Sequence, residues 1–394
     1  MRRQMGLWLL MGWGLLLGWT NPPSIKARAA VLMDADTGQV LYAKNAHQPL
    51  PPASLTKIMT AIVVLERCDL DAVVQASARA VNAKPSSMHL REGEQVKVRD
   101  LLYALMLRSA NDAAVALAEH TAGSVEAFAA LMNTKARELG AKHTHFVNPH
   151  GLHDPKHLST AYDLALITRY AMQNDTFRTI VKTPYYIVER SHNQDDLWMV
   201  NKAKFLRDYP YAEGVKTGYT RAAGFCFAGA AMRDGRRLIS IVLNSEQREA
   251  DTIALMQHGF NDWTRIELAA GTRVGELAVE GGEPERVALY LQQPLRWAVP
   301  KAQRARYRWT VHTQSVQAPV EAGTVVGTLV LYRDNQPILK SPVATASAVA
   351  RRPNPIPTIM WVLAGGIALG VVRWRAVCGR RRVRFYRSTR AYRA

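Results

Sequence analysis

The sequence predicts an α+β fold in which an antiparallel sheet is covered by helices and carries a helical insert, followed by a small all-β domain and a C-terminal apolar helix. Three observations predict it. A hairpin pattern occupies residues 24–45, helix-period apolar segments fill residues 54–172, and strand-like segments return from Val215 to about Val343. The chain has 394 residues, 48% of them hydrophobic, which is enough for one large core and a second small one.

The N-terminus has the layout of an export signal. Arg2 and Arg3 precede an apolar stretch from Met5 to Trp19, which is the order of the basic and hydrophobic regions of a signal peptide. Residues 1–20 are therefore predicted to be a signal peptide or an N-terminal apolar segment of an exported chain. Three alternatives for the processing of this segment remain: cleavage near residue 20, cleavage after the small-x-small run at 27–29, and retention as an uncleaved anchor.

The main domain is predicted over residues 25–262. Strands at 30–34 and 40–43 flank a turn in which Gly38 supplies a positive φ. Asp100 is a candidate N-cap for an apolar helix over 101–107. Further helices are predicted at 113–119, 128–139, 161–172 and 251–260, and further strands at 185–188, 225–231 and 237–243, the last two joined by a turn at Asp234-Gly235.

The remainder is predicted to form a small domain and a membrane anchor. Short strand-like runs separated by Gly and Pro fill residues 264–343, and residues 344–355 have the Ala, Ser, Arg and Pro content of a linker. Residues 356–372 are uncharged and mostly apolar. At ~1.5 Å per residue these 17 residues reach about 25 Å, which is the short end of a transmembrane helix.

The charges on either side of this helix predict its orientation. Nine Arg follow it in the basic tail 373–394, whereas only Arg351 and Arg352 precede it. The positive-inside rule places the tail in the cytoplasm and the folded domains outside. A helix lying in the membrane interface is the alternative, but residues 356–372 have no polar face and contain Gly365-Gly366, which suits a span. The prediction is a single-pass protein of the cell membrane.

The charge distribution and the cysteine content argue against a nucleic-acid-binding protein and against a disulfide-stabilised scaffold. The net charge is +19, but residues 351–394 hold eleven Arg and no acidic residue, so the remainder carries +8. Because the basicity belongs largely to a tail, no nucleic-acid partner is predicted. The three cysteines, Cys68, Cys226 and Cys378, do not make a disulfide framework, and the first two lie in apolar contexts typical of small buried hydrophobes.

The candidate chemistry is centred on Ser54 and Lys57. Pro51 and Pro52 precede a largely apolar helix, so Ser54 is expected at its N-terminus, where free N–H groups favour negative charge. Lys57 follows three residues later on the same side of the helix. A hydroxyl held beside a neutral amine is a nucleophile with its base. For this motif alone, the alternative is a Ser cap followed by a surface Lys.

Two further fragments strengthen this interpretation. Ser109-Ala110-Asn111 and Lys216-Thr217-Gly218 follow in the order and at the separations of the three-motif pattern of penicillin-binding proteins and serine β-lactamases. Each fragment is common alone, but all three in order are specific. The alternatives are a helix-capping role for Ser109 and Asn111, and an exposed strand start for Lys216 and its neighbours.

Each of these residue types has a role in acyl transfer. Lys57 takes the Ser54 proton if burial and a second cation, Lys216, favour its neutral form. Ser109 can relay a proton to the leaving amine, and Asn111 can hold the substrate amide. The expected substrate-binding residues are Lys216 and Thr217 for a carboxylate, Gly218 for close approach of the substrate backbone, and Tyr219, whose backbone N–H would complete an oxyanion hole with that of Ser54.

With these motifs, the sequence resembles the low-molecular-mass penicillin-binding proteins that are serine D-alanyl-D-alanine carboxypeptidases. The resemblance covers residues 25–262 closely and includes four further stretches: Asp34-Ala35-Asp36-Thr37-Gly38, Asn148-Pro149-His150-Gly151-Leu152, Gly214-Val215-Lys216-Thr217-Gly218-Tyr219-Thr220 and Gly224-Phe225-Cys226-Phe227-Ala228-Gly229. It implies a β-lactamase/transpeptidase-like domain. The predicted β domain and C-terminal anchor match the layout of the family.

The resemblance also implies the reaction and the partners. The terminal D-Ala of peptidoglycan stem peptides would be removed through an acyl-enzyme on Ser54, without a metal or organic cofactor. Penicillins mimic the D-Ala-D-Ala end and would acylate Ser54 as covalent inhibitors. His150 and Arg248 fall where the family has a His-Gly loop and an Arg after the last strand, which implies a place at the edge of the substrate site; capping or packing is the alternative. The membrane is the remaining partner, with the catalytic domain outside the cytoplasm.

Three other functions are weighed against this one. Five of the eleven His lie between His143 and His157, but no Glu accompanies them as a base, which disfavours a zinc peptidase. A class A-like serine β-lactamase would carry Ser-Asp-Asn and a Glu on a deacylating loop, whereas no Glu lies between Lys142 and Glu189 here. A non-catalytic cell-wall scaffold of the same fold can lose its nucleophile or base, and this sequence keeps both.

Overall fold

The computed structural model describes residues 22–353 and 355–388. The predicted N-terminal segment 1–20 and the last residues of the basic tail lie outside this range. The chain divides into two compact units, one of Met1–Glu267 with Arg296–Arg306 and one of Leu268–Leu295 with Tyr307–Ala394. Residues 296–306 therefore belong to the first unit, although the sequence places them in the range expected for the β domain.

The first unit is built on a five-stranded antiparallel sheet. The N-terminal hairpin is confirmed, with Ala30 opposite Lys44 and Gly38 at φ 73° in its turn. Every residue of its first strand is buried, because helices cover the sheet on both faces of that strand. In spatial order the strands are Val40–Lys44, Ala29–Asp34, Arg236–Leu243, Gly224–Arg233 and Ala212–Thr220.

Helices supply most of the remaining core of this unit. The helix after Ser54 is buried from Thr56 to Val64, consistent with its nearly continuous apolar sequence. The α-helices are Thr56–Arg67, Ala78–Val81, Val98–Tyr103, Asn111–Ala122, Val125–Glu138, Ala161–Ala171, Asp175–Lys182, Phe205–Asp208 and Arg248–Asp262, with a π-helix at Ala104–Arg108 and 3₁₀ helices at Ala53–Leu55 and Lys301–Arg306.

One predicted helix start is wrong. The helix expected after an Asp100 cap begins at Val98, with Lys97 as its N-cap residue, so Asp100 lies inside the first turn. The expected span 101–107 is also divided between this α-helix and the π-helix Ala104–Arg108. A single extra residue per turn does not change the apolar character of the segment, which is why the sequence pattern does not reveal the π-helix.

Two small antiparallel ladders lie beside the helices. Val73–Gln75 pairs with Gln95–Lys97, and Tyr185–Ile187 pairs with Trp198–Val200. The sequence predicts only the third of these four strands, because segments of three residues are too short for a periodic pattern. The second ladder is called the 185–200 hairpin below.

The second unit is all-β in its described folded part. A six-stranded sheet has the spatial order Tyr307–Thr313, Val325–Arg333, Gln336–Thr345, Arg286–Leu291, Arg273–Glu280 and Val316–Gln317. Val279, Val287, Val320 and Val349 form a small buried cluster in this unit. The stretch expected as a linker, 344–355, starts in regular structure, because Thr345 ends a strand and Ala350–Arg351 pairs with Gly282–Glu283.

The chain continues into the long helix Pro355–Ser388. Within the described residues, Met360–Cys378 is the one helical segment long and apolar enough to cross a membrane. Its 19 residues correspond to about 28 Å of helix. This segment begins four residues after the start predicted from the sequence and extends past Arg373 and Arg375.

Candidate active site

Ser54 lies in the short 3₁₀ turn Ala53–Leu55, immediately before the helix Thr56–Arg67. Ala53 has a positive φ of 49°, a conformation that is unfavourable for a residue with a side chain. The turn is closed by the Leu55 N–H, which donates to the Pro52 carbonyl at 3.2 Å. The chain is therefore bent sharply just before Ser54, and its half-buried side chain stands at the start of the helix.

Lys57 is fully buried and has three oxygen neighbours. Its Nζ lies 3.2 Å from Ser54 Oγ, 2.6 Å from Asn111 Oδ1 and 2.7 Å from the His150 carbonyl oxygen. The amide and the backbone carbonyl can only accept hydrogen bonds, whereas the serine hydroxyl can also donate. A neutral amine satisfies all three neighbours by donating twice and accepting the hydrogen bond of the Ser54 hydroxyl.

The electrostatics of the site favour this neutral form. Burial is the largest influence that lowers the pKa of Lys57, and the positive charge of Lys216 lowers it further, so that it lies well below its usual value. Asp112 acts in the opposite direction but does not cancel these effects. The arrangement therefore provides a hydroxyl whose proton can move to an adjacent free amine.

Asn111 is held by contacts at both ends of its side-chain amide. Its Nδ2 donates to the Lys84 carbonyl at 2.7 Å, which turns Oδ1 toward Lys57. The helix Asn111–Ala122 has Ala110 as its N-cap residue and no side-chain cap hydrogen bond. The capping alternative for Ser109 and Asn111 is therefore wrong, since neither side chain caps this helix.

Ser109 lies at the end of the π-helix in the left-handed conformation, with φ 66° and ψ 33°. It is buried, and within the described part of the chain its hydroxyl makes no hydrogen bond. Among the described residues, the enclosed side-chain polar atoms without a partner belong to Asp100, Arg236, Ser240 and Thr252, so the Ser109 hydroxyl is accessible to solvent. Its position two residues before Asn111 leaves it available for a reacting group or a water molecule.

The strand Ala212–Thr220, called the motif strand below, lies against the Ser54 turn. A Cβ atom added to Gly218 would stand 3.2 Å from the backbone nitrogen of Ser54 and 3.2 Å from Ala53 Cβ. The lack of a side chain at Gly218 thus permits this close approach. Thr217 is buried on the same strand, whereas Tyr219 is 54% exposed and packs on Phe225 with ring centroids 4.6 Å apart.

Lys216 and Arg248 place positive charge at this strand. Lys216 is buried, and burial, followed by the charges of Lys202 and Arg248, lowers its pKa to about 7. Arg248 is the first residue of the helix Arg248–Asp262 and donates from Nη1 to the Gly218 carbonyl at 3.1 Å. The interpretation of Lys216 as an exposed strand start is wrong, because its side chain is enclosed.

The loop around His150 supports the Ser54 turn from the other side. The Thr60 hydroxyl donates to the Pro149 carbonyl at 2.6 Å, next to the His150 carbonyl that Lys57 contacts. A Cβ atom on Gly151, which has φ 85°, would lie only 1.8 Å from the Ala53 carbonyl oxygen. His150 thus contributes its carbonyl to Lys57. Its ring accepts a hydrogen bond from the Leu152 N–H, and burial lowers the pKa of His150 to about 3.

His157 fixes the same turn and is not identified by the sequence analysis. Its Nδ1 accepts from the Val147 N–H at 3.0 Å, so the neutral ring carries its proton on Nε2 and donates to Thr56 Oγ1 at 2.8 Å. Thr56 in turn donates to the Ala53 carbonyl at 2.9 Å. Burial lowers the pKa of His157 to about 4, which keeps this relay of hydrogen bonds in the neutral form.

Lys202 is a further cation that the sequence analysis missed. Its Nζ donates to Ser86 Oγ at 3.2 Å, and its charge lowers the pKa values of both Lys57 and Lys216. The same segment accepts from Asn111, whose backbone N–H donates to the Ser86 carbonyl at 2.8 Å. No local pattern marks Lys202, because its relation to the site depends on how the 185–200 hairpin packs.

The structure brings several predicted residues into direct contact. Ser54, Lys57, Asn111 and the His150 carbonyl form one hydrogen-bonded group, and Gly218 and Arg248 adjoin it through the motif strand. Among the described residues, no group of three or more His, Cys, Asp or Glu side chains is arranged to hold a metal ion. The geometry places a serine hydroxyl next to a buried amine, beside a strand that carries the buried Lys216.

Comparison with known proteins reveals similarity along most of the chain. Residues 19–247 match the family model described as D-alanyl-D-alanine carboxypeptidase, and residues 265–351 match that of the penicillin-binding protein 5 C-terminal domain. The chain is 33% identical over 336 residues to the D-alanyl-D-alanine carboxypeptidase DacF of Bacillus subtilis, covering 82% of this chain and 86% of that protein. It is 35% identical over 349 residues to DacD of Salmonella typhimurium, covering 84% and 88%.

Solved structures give the same result. Penicillin-binding protein 5 from Haemophilus influenzae superposes with a TM-score of 0.72 at 31% identity, covering 84% of this chain and all of that one. A mutant of the Streptomyces K15 DD-transpeptidase has a TM-score of 0.57 at 39% identity and covers 60% of this chain and 99% of that one. The second similarity extends over a smaller part of the chain than the first.

Proposed function

Because this chain belongs to the D-alanyl-D-alanine carboxypeptidase family of serine peptidases, we propose that Ser54 is its nucleophile and Lys57 the base that activates it. The enzyme acts on the D-Ala-D-Ala end of peptidoglycan stem peptides, as its family does. The observation that carries the residue assignment is the contact of buried Lys57 Nζ with Ser54 Oγ and with two groups that can only accept hydrogen bonds.

In the proposed acylation step, the Ser54 proton moves to Lys57 as Oγ attacks the carbonyl carbon of the penultimate D-Ala. Negative charge then develops on the carbonyl oxygen, and the backbone N–H groups of Ser54 and Tyr219 are the proposed donors to it. When the peptide C–N bond breaks, the terminal D-Ala leaves as an amine and needs a proton. Ser109, whose hydroxyl is accessible to solvent two residues before Asn111, relays that proton from Lys57.

Deacylation reverses these roles. A water molecule gives a proton to neutral Lys57 and attacks the ester carbonyl, and the ester C–O bond breaks as the proton returns to Ser54 Oγ. Lys216, Thr217 and Arg248 bind the carboxylate of the terminal D-Ala during acylation. Once that residue has left, the space that it occupied beside the ester is free for a water molecule.

β-Lactams are proposed to acylate Ser54 by the same route. The scissile amide of a penicillin is part of the β-lactam ring. After this ring opens, the leaving amine is still joined to the acyl group through the remaining ring atoms, so it does not diffuse away. The sequence between Lys142 and Glu189 holds no Glu that could activate water as a class A β-lactamase does. We therefore expect a long-lived penicilloyl-enzyme, and a β-lactamase function is disfavoured.

The helix Met360–Cys378 is proposed to anchor the enzyme in the cell membrane as a single span. The Arg-rich sequence after it supports a cytoplasmic tail and a catalytic unit on the opposite side. That location is where a peptidoglycan stem peptide is found. The Trp361 and Trp374 side chains near the two ends of the segment are exposed and suit the membrane–water interfaces.

The proposal is tested by D-Ala release from a peptide ending in Lys-D-Ala-D-Ala. The wild-type chain should release D-Ala with and without a chelator, and Ser54→Ala and Lys57→Met should both reduce the rate by at least about a thousandfold. Residual activity of Ser54→Ala near the wild-type level would refute the nucleophile assignment. Loss of wild-type activity on chelation would refute a metal-free mechanism, and no release by the wild type would refute the proposed activity.

A further inference from the structure

The outer face of the 185–200 hairpin is entirely apolar and exposed. Tyr185, Ile187, Trp198 and Val200 are between 48% and 59% exposed, and all four project from the same face, since Tyr185 lies opposite Val200 and Ile187 opposite Trp198. These four side chains are called the hairpin platform. Exposed apolar groups in a contiguous block mark a binding surface more often than scattered ones.

The hairpin is held rigidly from its inner face. Tyr186 stacks on Tyr103 with ring centroids 3.6 Å apart, and Met199 is fully buried. Asn201 closes the hairpin by donating through Nδ2 to the carbonyls of Val181 and Thr183. Because the inner face and the ends are fixed, the outer face is presented in one orientation, which lowers the entropic cost of binding.

The hairpin that carries the platform is connected to the active-site segments through Lys202. Lys202 follows Val200 by two residues, a distance of about 7 Å along an extended chain. The Lys202 N–H donates to the Leu107 carbonyl at the end of the π-helix that leads to Ser109, and Lys202 Nζ contacts Ser86 beside Asn111. Lys202 therefore joins the strand that carries Trp198 and Val200 to the π-helix that precedes Ser109.

The size and charge of the platform exclude two other occupants. An aromatic side chain has a surface of about 150–250 Å², so two aromatic and two aliphatic side chains, all about half exposed, offer on the order of 400 Å² of accessible apolar surface. Each partner in a stable dimer buries about 800 Å². Two of the cations at the hairpin are paired, Lys97 with Glu189 and Arg108 with Asp196, which reduces the positive charge that an anionic membrane surface would meet there.

We propose that the hairpin platform binds the sugar portion of peptidoglycan while the attached stem peptide occupies the active site. The rings of Tyr185 and Trp198 lie 5.3 Å apart at 41°, forming a shallow angular surface. The negative face of an aromatic ring attracts the polarised C–H groups on one side of a pyranose ring. This inference rests on the proposed function and adds a second recognition site for the same substrate.

The test compares two substrates with the same stem peptide, one free and one attached to its disaccharide, using the full-length chain in detergent. For the wild type, kcat/KM should be higher on the disaccharide-bearing stem. Tyr185→Ala and Trp198→Ala should each lower kcat/KM on that substrate by about fivefold to tenfold and leave the free stem unaffected. Trp309→Ala, which alters an exposed Trp of the second unit, is the matched control and should change neither value.

Each other outcome overturns the inference. Equal rates on both substrates in the wild type, or variants that leave the rate ratio unchanged, would show that the platform does not recognise sugar. If the ratio is unchanged but Trp198→Ala reduces sedimentation with phosphatidylglycerol vesicles, the platform contacts a membrane and the sugar assignment fails. If the wild type releases D-Ala from neither substrate, the proposed function itself fails, which is a distinct result.

Discussion

Gly151→Ala should disrupt the site without touching any proposed catalytic side chain. The new Cβ would lie 1.8 Å from the Ala53 carbonyl oxygen, where an ordinary contact begins near 3.4 Å, so the oxygen or the loop must move by about 1.6 Å. That carbonyl accepts from Thr56 and belongs to the turn that carries Ser54. A misplacement of about 1 Å in a catalytic group can cost roughly a hundredfold in rate.

The same substitution should also lower stability. A side chain at φ 85° costs about 1–2 kcal/mol, and the overlap adds about 1–3 kcal/mol, so the free energy of unfolding should fall by about 2–5 kcal/mol. For a unit of this size, the Tm should decrease on the order of 10 °C. Fluorescent penicillin acylation and thermal unfolding measure the two effects.

Gly140→Ala is the matched control for this prediction. Gly140 has a similar φ of 78°, but a Cβ there would meet nothing within 4 Å. It should therefore show the backbone cost alone, with acylation at the wild-type rate. If Gly151→Ala acylates as fast as Gly140→Ala and is equally stable, the loop does not support the Ser54 turn as the structure indicates.

Three further predictions concern protons and the anchor. Asn111→Asp places a carboxylate at the 2.6 Å contact with Lys57 and should raise the pKa of Lys57. The acid limb of the pH profile of penicillin acylation should then move upward by about 1–3 pH units. An unchanged acid limb would contradict the contact. His157 is neutral in the folded protein, where its pKa is about 4, compared with 6.5 in the unfolded chain. The free energy of unfolding should therefore decrease by about 3 kcal/mol as the pH falls from 6.5 to 4. Chemical denaturation measures this dependence, and His157→Gln should flatten it. Deleting residues 356–394 should release the chain from membranes in fractionation with D-Ala release intact, and continued membrane association would contradict the anchor.

The polar motifs and the sheet could be predicted because their signals are local. Ser54 and Lys57 are three residues apart at a helix start, and the turn at Asp234 and Gly235 joins two clearly apolar strands. The N-terminal hairpin follows for the same reason. What each motif residue does in catalysis remains a prediction, since the structure establishes where the side chains lie and which atoms they contact.

The supporting contacts could not be predicted, because they depend on tertiary packing. The relay from His157 through Thr56 to Ala53 joins residues 101 positions apart, and nothing in the sequence near His157 indicates that its ring is buried and neutral. Lys202 similarly acquires its relation to Lys57 through the packing of the 185–200 hairpin. The exposed face of that hairpin is equally invisible in sequence, because a three-residue strand has no readable period.

The most direct test of the central claim is the position of the penicilloyl group after labelling of the full-length chain. Intact mass should increase by one penicillin per chain, and peptide mapping should place the adduct on Ser54, with no adduct in Ser54→Ala. In Lys57→Met, Ser54 should be labelled at least about a thousandfold more slowly, because its base is missing. An adduct on Ser109 or any other residue, or rapid labelling of Ser54 without Lys57, would contradict the nucleophile and base assigned here.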